Sequence, residues 1–189
     1  YAASQEDAFF VQGYNAARDR LFQIDLWRRR GLGRLSEVFG PGFVEQDTAS
    51  RLFLYRGDMH KEWQAYGKNA QGIAERFVAG INAYIDEVAA DPKKLPLEFR
   101  QFAYAPEKWQ ADDVVRIRSH ALTRNLTSEV SRAYVTCHAD LKTDALRIRL
   151  SPPWETRVPE GLDPCLPQDL LKVFQLATQG VVLGKAALQ

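Results

Sequence analysis

From Gln5 to Arg30 the chain runs without a proline, and this stretch constrains the fold more than any other. Ser4 stands where a helix N-cap is wanted, and Glu6 and Asp7 place negative charge in the first turn, where the helix dipole favours it. At about 100° per residue, Phe10, Tyr14, Ala17, Leu21 and Ile24 fall on one side with Gly13 beside them. Val11, Phe22 and Leu26 fall on the opposite side. A helix apolar on two sides is predicted to lie between layers. Arg20 and Arg28 project within the main apolar arc, so they are expected to meet carboxylates or a partner surface. Asp19 and Asp25 are candidates, and simple snorkelling of the long side chains is the alternative.

The rest of the chain extends the helical pattern. Gly31, Gly33 and Gly40-Pro41-Gly42 break it into short pieces. Phe43 to Tyr55 reads as a short helix, with Asp47 and Arg51 spaced to pair at i, i+4. The clearest amphipathic helix runs from about Asn69 to Ala89 with Ile73, Phe77, Ile81, Tyr84, Ile85 and Val88 in one stripe, and Asp91-Pro92 ends it. Ala111-Asp112-Asp113 starts a helix expected to end near Asn125, and Thr127 or Ser128 is placed to cap the next one. Leu146 to Leu150 alternates like a short strand. These patterns divide the chain into a helical body, residues 1–150, and a proline-rich extended connector with a tail, residues 151–189, in which Leu170 to Ala177 forms a last turn or two of helix.

Composition removes several functions. Lys+Arg 25 against Asp+Glu 24 leaves a net charge of +1, so no whole-chain field draws nucleic acid or an anionic membrane. Apolar runs reach only about half a dozen residues, too short to span a bilayer. Cys137 and Cys165 lack zinc-site spacing. They are either two thiols or a bridge, which would add about 3–4 kcal/mol by loop entropy. The chain opens at Tyr1 without an initiator Met, which reads as a fragment or a processed chain. There is no G-x-S-x-G, H-E-x-x-H, P-loop or G-x-G-x-x-G pattern, so no self-sufficient catalytic constellation is expected. The Arg28-Arg29-Arg30 run suits a packed or solvated helix end better than a phosphate site.

The residues do carry a resemblance. Gly13-Tyr14, Ala17, Asp19-Arg20-Leu21, Gln23, Arg28-Arg29, Gly33, Glu37 and Gly40 resemble the first long motif of the penicillin acylase family. Asp47 and Arg51, then Gly80-Ile81-Asn82-Ala83-Tyr84-Ile85, then Pro106-Glu107-Lys108-Trp109 with Asp112-Asp113-Val114 follow in the family's order. The match spans roughly residues 1 to 135, and the C-terminal third departs from the pattern.

The resemblance implies an α chain cut from a periplasmic or secreted precursor. It would be mainly α and would pack on a β chain to form an αββα N-terminal nucleophile hydrolase heterodimer. The nucleophile, the serine that opens the β chain, lies outside this sequence, so no catalytic residue is expected in this chain. The activity implied is hydrolysis of the amide of a small N-acyl compound, a penicillin or cephalosporin. N-acyl homoserine lactones are the alternative within the family, and a non-catalytic helical interaction module is the alternative outside it. Ala121, Arg124 and Asn125 match the positions that wall the acyl pocket, with Asn125 in place of an aromatic and Ala121 smaller than the usual Met, which implies a wider pocket. Glu129 matches a carboxylate given to a structural calcium site shared with the β chain.

Overall fold

The computed structural model describes residues 2–117, 125–148 and 150–184. It is helical, with no strand among the described residues. The contacts group the chain into two compact units, Tyr1–His120 with Leu176–Gln189, and Ala121–Gln175. The proline-rich stretch groups with the helices just before it, and the last segment returns to the first unit.

In the first unit α1 (Gln5–Leu32) begins on the Ser4 hydroxyl, which accepts from Asp7 N at 3.1 Å, and ends on Gly33 at φ 65°. Its geometry breaks at Arg20 (φ −147°, ψ 36°), which turns that side chain outward. Arg20 is exposed, contrary to the helical-wheel expectation, because the break changes its direction relative to the apolar arc. The other main helix is α5 (Ala70–Ala90), which packs along α1. Two glycines set the distance between them. A Cβ on Gly13 would collide with the Phe77 carbonyl, and one on Gly80 with the Phe10 carbonyl and the Tyr14 amide. Backbone therefore meets backbone, a spacing that any side chain would forbid.

This close crossing organises the core. Ala17, Leu21 and Phe22 of α1 meet Val78, Ile81, Tyr84, Ile85 and Val88 of α5. Leu35, Phe39, Phe99 and Trp109 close the cluster. Phe22 stacks on Phe102 at 5.9 Å and meets the edge of Phe99 at 5.5 Å. Each such side chain contributes about 1.5–3 kcal/mol on burial. Leu21 and Phe22 lie on different sides of α1 and are both buried, while Val11, on the Phe22 side, stays 41% exposed.

Short helices frame the crossing: α2 (Ser36–Phe39), α3 (Val44–Phe53), α4 (Met59–Ala65), α6 (Leu97–Gln101) and α7 (Ala111–Arg116). Asp47 and Arg51 of α3 do not pair with each other as their spacing suggested. The Asp47 carboxylate accepts from Leu35 N (2.9 Å), Ser36 N (2.7 Å) and Ser36 Oγ (2.6 Å) at the start of α2, while Arg51 Nε donates to Gly33 O (2.8 Å) at the end of α1. Unmade helix-end groups attract opposite charge, and here they outcompete the local ion pair. The returning segment adds Val181 and Leu183 to the core, and Thr178 O accepts from Arg30 Nη2 at 2.5 Å.

The second unit holds α8 (Leu126–His138) and α9 (Leu141–Arg147); α10 (Lys172–Thr178) starts near its end. Asp140 caps α9 through Thr143 N at 2.7 Å. That cap carries helix through Arg147, which pairs back to Asp144, so the strand read at Leu146–Leu150 is replaced by a helix end. The cysteines are joined, Cys137 to Cys165, with their Cα atoms 4.9 Å apart.

Candidate functional site

The motif residues converge on the start of α7. Arg28 Nε donates to Asp113 Oδ2 at 2.7 Å, and Gln110 N donates to the same oxygen at 3.0 Å. Both charged side chains are almost fully buried. The Arg28 guanidinium also lies over the Trp109 ring at 5.6 Å. Asn82 of α5 clamps the Trp109 backbone, accepting from its N–H at 2.8 Å and donating to its carbonyl at 2.9 Å. Trp63 Nε1 donates to Asp112 Oδ1 at 3.1 Å.

A second cluster lies one residue further along α1. Arg29 Nε donates to Asp25 Oδ2 (2.9 Å), and Tyr104 OH donates to the same oxygen (3.1 Å). Arg29 Nη2 reaches Glu107 at 3.2 Å, and Arg34 binds both Glu37 and Glu107. Burial pushes the Asp25 carboxyl above its ordinary range, against the pull of Arg29. Burial also raises Glu107, but Arg34 and Arg29 outweigh it and hold that carboxyl below the usual range. Burial, with Asp25 beside it, pushes the Tyr104 hydroxyl well up. Every cation here has a carboxylate, so the arrangement is architectural: it pins residues 104–113 to α1. Arg28 was expected to meet Asp19 or Asp25; it takes Asp113 instead, and Asp19 pairs with Arg18. Neither Asp113 nor Glu107 was singled out for this task by the sequence, although both sit inside the motif that runs from Pro106 to Val114.

The structure then leaves the predicted acyl wall partly undescribed. Ala121 and Arg124 lie outside the described residues. α7 spans Ala111–Arg116 with Ile117 as its cap, and residues 118–124, between it and Asn125, lie outside the described residues. Asn125 is the exposed N-cap position of α8, where its carbonyl accepts from Glu129 N at 3.0 Å and its side chain makes no capping bond. Thr127 and Ser128, read as caps, are already inside the first turn.

Glu129 is exposed, and both its oxygens accept from Arg132 Nη1, at 3.0 and 2.7 Å. Arg132 in turn binds the buried Asp144 at 2.9 Å, and Arg147 binds the other oxygen of Asp144. No group of three or more His, Cys, Asp or Glu suited to a metal ion occurs among the described residues. Glu129 alone fits calcium only as one oxygen donor of a shared site, and it would have to exchange Arg132 for the ion.

The geometry so far is a helical frame, in the first unit, that fixes a buried charge network. The family model for penicillin amidase matches residues 1–177. The chain belongs to the penicillin amidase family. It is 33% identical over 118 residues to penicillin G acylase of Escherichia coli, covering 62% of this chain and 14% of that protein. It is 33% identical over 109 residues to the penicillin acylase 2 proenzyme of a Pseudomonas species, covering 58% and 14%. It is also 33% identical over 128 residues to the acyl-homoserine lactone acylase QuiP of Pseudomonas aeruginosa, covering 66% and 15%. The chain thus spans 14–15% of the length of these relatives. A crystallised thermostable penicillin G acylase from Alcaligenes faecalis shares the fold, with a TM-score of 0.61 at 24% identity over 84% of this chain and 91% of that one.

Proposed function

We propose that this chain is the α subunit of an acylase that hydrolyses the amide bond of N-acyl compounds, with the nucleophile on a β subunit from the same precursor. Family membership over residues 1–177 carries the reading. The name of one relative, a proenzyme, supports the common precursor. Apolar side chains left exposed in the second unit, Leu146, Trp154 and Leu162 among them, suit a covered surface in a larger assembly. In this reading the serine that opens the β chain attacks the acyl carbon, and its own α-amino group takes the proton, since that group's ordinary pKa of about 7.7–8.0 suits a base near neutrality. Water then releases the acyl group. Ala121, Arg124 and Asn125 would wall the acyl pocket, with Arg124 ordering its rim. Glu129 would lend one carboxylate to a calcium ion shared with the β chain. The disulfide supports an oxidising location, periplasmic or secreted.

Isolation of the native protein tests this. A larger polypeptide with an N-terminal serine should accompany the chain, and phenylmethylsulfonyl fluoride should label that serine and abolish amide hydrolysis. A solitary monomer without amidase activity would overturn the proposal. The similarity to acyl-homoserine lactone acylases supports a second reading of the substrate. Comparing phenylacetyl amides with long-chain N-acyl homoserine lactones decides between them: the better substrate by kcat/KM identifies the class.

A further inference from the structure

The proline-rich segment 150–171 lies beside α8 with little to hold it there. Its hydrogen bonds are local turns, Leu162 N to Pro159 O at 3.1 Å, Leu166 N to Pro164 O at 2.9 Å and Leu170 N to Pro167 O at 3.2 Å. Among the described residues, no hydrogen bond or ion pair joins this segment to α8 or α9. Apolar packing is also thin. Trp154 is 76% exposed and Leu162 54%. An open cavity of about 580 Å³, lined by Leu126, Val130, Ala133, Trp154, Leu162 and Leu166, lies where a core would be. No residue of α8 is buried. A small unit without a sealed core needs a covalent or metal staple to stay ordered. The bridge from Cys137, near the end of α8, to Cys165, in the segment, is that staple, and Cys165 is exposed to solvent.

We propose that the Cys137–Cys165 bridge is a redox latch, opened by a dithiol reductant, whose release lets the segment 150–171 leave α8 and uncovers the apolar side of that helix. A thiolate of the dithiol attacks the Sγ of Cys165, and Cys137 departs as its thiolate. The second thiolate of the dithiol then closes on its own sulfur and releases Cys165. Two electrons pass from the dithiol to the bridge, and the two protons end on the cysteines. The bridge and the segment 150–171 belong to the second unit, so the first unit is not expected to respond.

Hydrogen exchange on the native, assembled protein, with and without dithiothreitol, reads this out, with free thiols counted in parallel. Reduction should produce two free thiols and speed exchange across 159–171 and the C-terminal half of α8 at least tenfold, while peptides from α5 stay unchanged. The Cys137→Ser/Cys165→Ser double variant should exchange like the reduced protein from the start and ignore dithiothreitol. Should that variant fail to accumulate, the measurement on the unaltered protein stands alone. Thiols present before reduction, a bridge that dithiothreitol cannot open, or two liberated thiols with unchanged exchange would each overturn the latch.

Discussion

The two units of this chain hold themselves together by opposite means. The first is organised by apolar contact: two helices touch backbone to backbone at Gly13 and Gly80, and a continuous core from Ala17 to Trp109 surrounds that contact. Its buried charges are matched and serve to pin one segment on another. The second has a single buried side chain among its described residues, and that one is a carboxylate, Asp144. Its order rests on an Arg132–Asp144–Arg147 cluster and a disulfide. The first unit is thus built from packing, and the second from polar ties that leave apolar groups outside.

The contrast breaks most readily at the helix crossing. Gly80→Leu should destabilise the first unit by at least ~3 kcal/mol in urea unfolding followed by circular dichroism, because the new side chain has to displace the Phe10 and Tyr14 backbone. A cost below about 1 kcal/mol would show that the helices do not touch there. Asp113→Ala should cost about 3 kcal/mol by the same measurement, since it removes the nearer carboxylate of the buried Arg28 and leaves only Glu107 at 3.8 Å.

Acid sharpens the comparison, because two of the buried carboxyls, Asp144 and Asp25, are shifted in opposite directions. At Asp144 burial raises the pKa, but Arg147 and Arg132 outweigh it and hold it below the ordinary value. Its contribution is present above the unfolded aspartate pKa of about 3.9 and is lost as pH falls through the lower folded value. At Asp25 burial dominates and the pKa is raised. That contribution is present below the unfolded pKa and is lost as pH rises through the folded one. Hydrogen exchange in α8 and α9 should therefore accelerate below about pH 4, and Asp144→Asn should flatten that dependence. Equal acid sensitivity in the variant would separate the effect from Asp144.

Smaller effects are expected on the exposed side of the second unit. Asn125→Phe should shift the preference among acyl chain lengths by roughly tenfold in kcat/KM if this residue lines the acyl site. An unchanged profile removes it from the site. Leu146→Ala, at a position 88% exposed, should alter the stability of the chain by no more than about 0.5 kcal/mol.

Much of the frame was legible before any coordinates. The Ser4 cap, the extent of α1 and the stripe and stop of α5 follow from local rules, and the structure holds each of them. The order of the motifs identified the family. The break at Arg20 was not legible, because no proline or glycine marks it. Nor was the choice of Asp47 for the α2 amides over Arg51, since spacing along one helix says nothing of free groups on another. The alternation at Leu146–Leu150 misled because a strand needs a partner, while the Asp140 cap needs only its own neighbours. Of the expected acyl wall, Ala121 and Arg124 lie outside the described residues, and Asn125 stands at the start of α8.

By itself the sequence determined where the long helices begin and end, and that Gly13 and Gly80 stand in them, because caps, periodicity and missing side chains act within a few residues. Only the tertiary structure decided which carboxylate each arginine meets, that Gly13 and Gly80 face the opposite backbone, and that Cys137 finds Cys165. Those choices depend on distances between segments far apart in the chain, and burial, which makes an unmatched charge so costly, exists only once the chain has folded.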